Sequence, residues 1–314
     1  MNINKLAMTR DWESTFTFWS QSPSPSEQER CERTIKQIKA AIVDSAKLRT
    51  RGIKTFTQGS FRNRVNVRQD SDVDVGVMLH DYFLARYPKG KGDADFGNSS
   101  AGYSYSTFKD ELEQALVARF GRAAVVRGNK ALNVKAASYK VDADVVPLFE
   151  FREYGDSGFC RAGVALIPDN SIERIENYPE RLMSNWPPTP LHYENGKSKN
   201  DATWRRFRGL VRILKKLRNE MDDAGNIHAR AVPSYLLECL VWNVPDNYFS
   251  HYTWEERVQA ALRFLWQQTK DRSLCGGWFE VDAIKYLFHG SQPWTLEQAQ
   301  AFVNAAWDTV GGKP

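Results

Sequence analysis

Thr57-Gln58-Gly59-Ser60-Phe61-Arg62-Asn63, followed by Asp70-Ser71-Asp72-Val73-Asp74-Val75, is the stretch on which the fold turns. The valine-rich run from Asp72 to Leu79 reads as a strand and Lys54 to Phe56 as another, with the polar residues Gln58 to Ser71 between them. A strand alternates its faces, so Asp72 and Asp74 project to one side about 7 Å apart, near enough for both carboxylates to hold a hard cation such as magnesium. Gly59-Ser60 sits at a turn, where backbone N–H groups and a hydroxyl can approach a triphosphate and the glycine supplies the room.

The same alternation recurs in Val141-Asp142-Ala143-Asp144-Val145-Val146-Pro147, where Asp142 and Asp144 share one face and Val141, Ala143 and Val145 the other. Burying such carboxylates in a valine-rich strand is costly unless a cation compensates them. By strand geometry either Asp142 or Asp144 can join Asp72 and Asp74. Three carboxylates on adjacent strands would hold two divalent ions, one activating an attacking hydroxyl and one steadying a triphosphate, the chemistry of in-line nucleotidyl transfer. A lone Asp-x-Asp commonly marks a turn or a solvated strand edge, and a lone Gly-Ser says almost nothing. It is the ordered combination that is specific.

Outward from this stretch, Ser24, Pro25 and Glu27 stand as N-cap, first helical residue and capping-box acid of a helix over Ser22 to Lys47, with Cys31, Ile35, Ile38 and Ile42 on one face. Tyr87 to Tyr105 reads as a mobile, glycine-laden insertion, and Phe108 to Phe120 as a second helix. Apolar alternations at Ala123 to Val126 and Tyr139 to Phe149 predict further strands. After a proline-rich stretch (Pro179, Pro187, Pro188, Pro190), helical periodicities run over Trp204 to Met221, Ser234 to Val241, Trp254 to Thr269 and Thr295 to Val310. The expected organisation is a mixed α and β domain over residues 1–180 and a helical domain over 181–314.

Composition sets the outer bounds. In 314 residues, 42% hydrophobic and 26% charged, nothing approaches 18 uninterrupted apolar residues, which predicts a folded, cytoplasmic protein with no membrane partner. Cys31, Cys160, Cys239 and Cys275 form no Cys-x-x-Cys pair and read as buried thiols, and the five histidines show no metal spacing. A net charge of +5 suits polyanionic ligands but is too small for a dedicated nucleic-acid surface, so no stable nucleic-acid partner is expected. Arg205, Arg208, Arg212 and Lys215 recur at helical spacing beside an apolar stripe of Trp204, Phe207, Val211 and Leu214, either lining an anion-binding cleft or forming a solvated basic face. Asn177 carries both donor and acceptor for a base edge, though an asparagine before Tyr-Pro equally suits a turn.

Gln58-Gly59-Ser60 through Asp72-Val73-Asp74, with Asp144-Val145-Val146-Pro147, resembles the polymerase-β-type nucleotidyltransferase superfamily. More narrowly the chain is similar to the bacterial cGAS/DncV-like nucleotidyltransferases, including the clade that uses pyrimidine nucleotides. Asn177-Tyr178-Pro179, His192-Tyr193-Glu194-Asn195-Gly196, Lys199-Asn200, Thr203, Val211 to Lys215 and Val232 to Leu236 extend the likeness into the second half. The resemblance implies an α+β fold: a polymerase-β-like core with a mixed sheet, packed on a helical C-terminal domain, with the active site in the cleft between the lobes. It maps Asp72, Asp74 and Asp144 onto the metal carboxylates, holding two magnesium or manganese ions. It maps Gln58, Gly59 and Ser60 onto the triphosphate loop, Lys215 onto a lysine that reaches the phosphates, Ser234 onto a lid hydroxyl and Tyr235 onto an aromatic that stacks on a base.

The implied activity joins NTP substrates into a cyclic di- or trinucleotide with release of pyrophosphate, a second messenger that drives a downstream effector in anti-phage defence. Two other readings compete with it: a linear tailing or nucleotidylating transferase, and a silent nucleotide- or RNA-binding module of the same fold. Three intact acidic positions speak against the silent module, because a binder has no use for carboxylates facing a polyphosphate without metal. No zinc-ribbon cluster accompanies the motifs, and the ending Gly311-Gly312-Lys313-Pro314 does not suit conjugation through a terminal glycine or alanine. Base identity, linkage, ring size and oligomeric state are open at this stage.

Overall fold

The computed structural model describes residues 10–68, 72–99, 102–137, 140–170, 174–177, 191–290 and 292–311. Its main elements in chain order are α1 (Trp12–Ser20), α2 (Pro25–Asp44), β1 (Ile53–Gln58), α3 (Gly59–Asn63), β2 (Val73–Arg86), α4 (Tyr105–Phe120), β3 (Val125–Arg127), β4 (Leu132–Val134), β5 (Ala143–Tyr154), β6 (Cys160–Leu166) and β7 (Ile175–Asn177). Then come α5 (Leu191–Ala202), α6 (Phe207–Asp223), α7 (Ser234–Trp242), α8 (Trp254–Thr269) and α9 (Leu296–Thr309). The fold is α+β. Contacts gather the described residues into two compact units: one from Pro23 to Asn63 together with those between 72 and 177, the other from those before Pro23, Arg64–Arg68 and the chain from Leu191 onward. Each has its own apolar core. The boundary expected near residue 180 lies outside the described residues.

In the first unit the strands form one mixed sheet in the order β1-β2-β5-β4-β3, with β6 on β5 and β7 on β6. β2 and β5 run parallel and the other neighbours antiparallel. Val73, Val75 and Val77 of β2 and Val145 of β5 are fully buried in the core beneath α2 and α4, so the residues alternating with them face the other way. α2 begins as its sequence predicts: Ser24 accepts the Glu27 N–H, the Glu27 carboxylate accepts the Ser24 N–H at 2.8 Å, and Pro25 opens the first turn. A cap of this kind stabilises a helix by about 1 kcal/mol. Cys31, Ile35, Ile38 and Ile42 carry its buried face.

Residues 87–99 differ from the mobile insertion expected of them. Tyr87, Phe96 and Tyr154 stack with ring centroids 4.5 to 5.4 Å apart, and the Asn98 amide donates to both tyrosine hydroxyls. Ring contacts to β5 order a segment whose glycines suggested looseness. Strands β4, β6 and β7 and helices α1 and α5 were not foreseen.

The second unit is helical and includes α1, whose Trp12, Phe16 and Trp19 enter the core built by α6 to α9. Thr253-Glu256 and Thr295-Gln298 form capping boxes at the starts of α8 and α9, as the helix starts in the sequence require. α6 begins two residues later than its basic stripe suggested. Trp204 and Arg205 adopt left-handed backbone (φ 50° and 64°), and the Thr203 hydroxyl accepts the Phe207 N–H at 3.1 Å. Arg205 therefore lies in the turn before the helix, and Trp204, 62% exposed, is not part of the apolar stripe. Among the described residues no helix is long and apolar enough to cross a membrane.

One lysine stitches the sheet edge to α4. Lys109 is wholly buried, and its ammonium donates to the carbonyls of Gly128 (3.0 Å) and Asn129 (2.9 Å) and pairs with Asp169 at 2.9 Å. Burial pushes the Asp169 carboxyl up, but hydrogen bonds from Arg127 and Lys109 outweigh it and hold it below its ordinary value. Lys109→Met should therefore lower stability in urea by about 2–3 kcal/mol at neutral pH, because it leaves two carbonyls and a carboxylate short of a donor. A depressed carboxylate stabilises the fold above its unfolded pKa and loses that contribution as pH falls through the folded value. The wild type should thus lose more stability than the variant on acidification below the ordinary Asp range, a difference that urea titrations at several pH values would measure.

Candidate active site

The face of the central parallel pair turned away from the valine core carries the acidic residues. Asp74 on β2 is the register partner of Asp144 on β5, and β1 and β4 flank them with Gln58 opposite Asp74 and Asn133 opposite Asp144. Asp72 stands exposed immediately before β2. Gly59, at φ +62°, opens α3 directly after β1, and a methyl group on it would collide with the Asp74 carboxylate. Glycine is required there twice over, by the left-handed backbone and by the close approach. Ser60 follows on α3, partly buried.

Asp142 and Asp144 have different surroundings. Asp142 precedes β5; its carboxylate accepts the Ala136 N–H at 2.7 Å and its carbonyl accepts the Val73 N–H at 3.1 Å. It ties chain to chain. Asp144 lies in the strand beside Asp74 and accepts a hydrogen bond from the Asn133 amide, a partner the sequence did not single out. Oxygen donors on neighbouring strands fit a hard divalent cation in chemistry and backbone placement. With the side chains as they stand, no group of three or more His, Cys, Asp or Glu among the described residues is gathered tightly enough to hold an ion.

The remaining expected residues lie in the helical unit. Lys215 of α6 is 4% exposed; its ammonium lies 3.4 Å from Glu238 of α7 and 3.5 Å from the Val65 carbonyl. The other Glu238 oxygen meets His192 of α5 at 2.7 Å. Burial raises the Glu238 carboxyl, but Lys215 and then His192 more than offset it and the net direction is down. Lys215 and Arg212 are both buried, so this face of α6 is not the solvated basic surface that was the plainer reading of its charges. Sequence reasoning passed over Glu238 and gave His192 no role beyond the motif it belongs to; the available signal was one glutamate inside the apolar run Leu236-Leu237-Glu238-Cys239-Leu240.

Ser234 opens α7 after Pro233. The Tyr235 ring packs between His192 (5.6 Å) and Trp294 (5.9 Å), and its hydroxyl donates to Glu280 at 3.1 Å. Burial pushes that phenol far up and raises the Glu280 carboxyl as well. Asn177 ends β7, and its side chain falls outside the described residues.

Residues 194–311 match the family described as the cGAS/DncV-like nucleotidyltransferase C-terminal helical domain. The chain is 41% identical to the cyclic dipyrimidine nucleotide synthase CdnE of Cecembia lonarensis, over 96% of this chain and 99% of that one. To the cyclic dipyrimidine nucleotide synthase CdnE of Legionella pneumophila it is 40% identical, again over 96% and 99%. The solved Elizabethkingia meningoseptica CdnE cyclic dinucleotide synthase with GTP and Apcpp superposes with a TM-score of 0.76 at 30% identity, covering 95% of this chain and 98% of that one.

Gly59→Ala should keep the overall fold by circular dichroism yet lower NTP turnover about 100-fold, the scale of a misplacement near 1 Å at a reacting centre. Turnover equal to wild type would mean that the contact with Asp74 has no part in the chemistry.

Proposed function

The chain belongs to the cGAS/DncV-like nucleotidyltransferases, enzymes that join nucleotides into cyclic products, and from that premise we propose that it makes a cyclic dipyrimidine dinucleotide. The observation that carries the base assignment is the full-length likeness, at 41% and 40% identity, to two dipyrimidine synthases, against 30% to the relative solved with GTP and Apcpp. In the reaction a ribose hydroxyl of one nucleotide attacks the α-phosphorus of another, the bond to pyrophosphate breaks, and a second round closes the ring.

Asp72, Asp74 and Asp144 would hold two divalent ions, magnesium or manganese, whose charge favours the attacking alkoxide and neutralises the triphosphate. Placement supports Asp144 over Asp142 as third ligand: Asp144 shares register with Asp74, while Asp142 is engaged with the Ala136 N–H. One Asp144 oxygen accepts from the Asn133 amide, and metal binding would use its other oxygen or displace that bond. Gln58, Gly59 and Ser60 bind the triphosphate, and the room kept at Gly59 lets its backbone approach the phosphates. Lys215 supplies a cation to phosphate oxygens, Ser234 a hydroxyl, Tyr235 an aromatic face for a base and Asn177 an amide for its edge. The product serves as a second messenger for an effector in anti-phage defence.

Incubating the protein with all four NTPs and magnesium or manganese, then phosphatase, should leave a resistant cyclic product containing two pyrimidines, identified by mass spectrometry. A product built only of purines would overturn the base assignment, and a ladder of linear products would overturn cyclisation. Asp72→Asn combined with Asp74→Asn should reduce synthesis by about 1000-fold or more at unchanged thermal stability. Wild-type turnover in that double variant would remove the carboxylates from the mechanism.

A further inference from the structure

Arg208, Arg212 and Lys215 lie at i, i+4 and i+7 of α6 and so share one face of the helix. Their partners differ in kind. Lys215 has Glu238. Arg212, 7% exposed, is consumed by backbone carbonyls: its Nε donates to Ser20 O at 2.8 Å and its Nη1 to Arg64 O at 2.9 Å. Burial, then the neighbouring Arg208, lowers its pKa to about 10. Arg208 is different again: its Nε and Nη2 are buried and have no hydrogen-bond acceptor, and the Tyr193 ring lies 5.6 Å from the guanidinium. Arg64 adds a further like charge close by, which the Tyr193 hydroxyl and the Asp201 carboxylate offset only in part, since burial and Arg64 leave the net direction of the Arg208 pKa down. Among the described residues, no carboxylate ion-pairs with Arg64, Arg208 or Arg212. Arg51 and Arg257 each leave one buried Nε without an acceptor, Arg208 leaves two donors, and Arg127 by contrast meets Asp110, Glu113 and Asp169.

An arginine kept half-buried beside two others, with two N–H donors unanswered, is a destabilising arrangement on its own terms. It becomes favourable when an anion with several oxygens is bound, because the Nε and Nη2 edge of a guanidinium matches two phosphate oxygens. Tyr193, which packs on the guanidinium, has to yield for that edge to open.

We propose that Arg208 is a phosphate-binding residue, taking the oxygens of a nucleoside triphosphate's polyphosphate tail with Arg64 beside it. The inference rests on the reading of the protein as an NTP-using enzyme but not on which bases it joins or whether it closes a ring. Arg212, locked on carbonyls, fixes the backbone of Arg64 and Ser20 and is not a ligand.

Calorimetric titration of the full chain with sodium tripolyphosphate, in the absence of divalent cations and NTPs, tests this without turnover. Arg208→Met should weaken tripolyphosphate binding at least tenfold, Arg208→Lys should restore part of it, and Arg205→Met, which removes an exposed cation from the preceding turn, should leave it unchanged. In steady state Arg208→Met should raise the KM for NTP more than it lowers kcat. Wild-type affinity in Arg208→Met overturns the proposal. So does equal weakening by Arg205→Met, which would mean a diffuse charge effect. Should Arg208→Met fail to fold, the Lys variant decides: affinity equal to wild type at reduced thermal stability would mark Arg208 as a structural residue. A chain that makes no cyclic dipyrimidine can still pass this test, and one that makes it can still fail.

Discussion

Strand alternation along the parallel pair β2 and β5 is the constraint on which the first unit depends. Burying Val73, Val75, Val77 and Val145 in one core obliges the intervening residues to face the opposite way, and those are Asp74 and Asp144, side by side in register. The same packing that stabilises the sheet therefore concentrates negative charge on its other face. Such a face is unfavourable on its own, and the proposed binding of divalent metal there would relieve it. Gly59 completes the constraint from the side, since only a residue without a side chain lets the chain after β1 pass against the Asp74 carboxylate.

The helical unit solves the opposite problem, an excess of buried positive charge. Glu238 serves Lys215 and His192 together, backbone carbonyls of Ser20 and Arg64 serve Arg212, and Arg208 keeps donors without acceptors. These arrangements rank the cations by how completely the protein itself satisfies them. The least satisfied is the one assigned to a ligand, and the most satisfied, Arg212, holds the short segment after Asn63 to α6.

Legibility from the amino-acid sequence followed the length scale of each interaction. Period-two alternation and capping chemistry are local, so the faces of Asp74 and Asp144 and the start of α2 could be read directly. The likeness of Gln58-Gly59-Ser60 and Asp72-Val73-Asp74 to a known superfamily supplied the roles proposed for them. Where tertiary contacts decide, local reading fell short. The polar helix α5 earns its place through buried Gly196 and Asn200, and α1 through a Trp-Phe-Trp cluster docked on distant helices. His192 and Glu238 are 46 positions apart and meet only because α5 and α7 pack together. The late start of α6 came from left-handed backbone at Trp204 and Arg205, residues with no preference for it. Asn133 became visible only once β4 was seen to pair with β5.

The central claim is that divalent metal is held by the carboxylates facing away from the valine core, with Asp144 and not Asp142 completing the set. Manganese binding, followed by electron paramagnetic resonance in the presence of a non-hydrolysable NTP, tests it most directly when Asp144→Asn and Asp142→Asn are compared with wild type. The account predicts that Asp144→Asn loses the bound-ion signal while Asp142→Asn keeps it. Retention of the signal in Asp144→Asn, or its loss only in Asp142→Asn, would contradict the account.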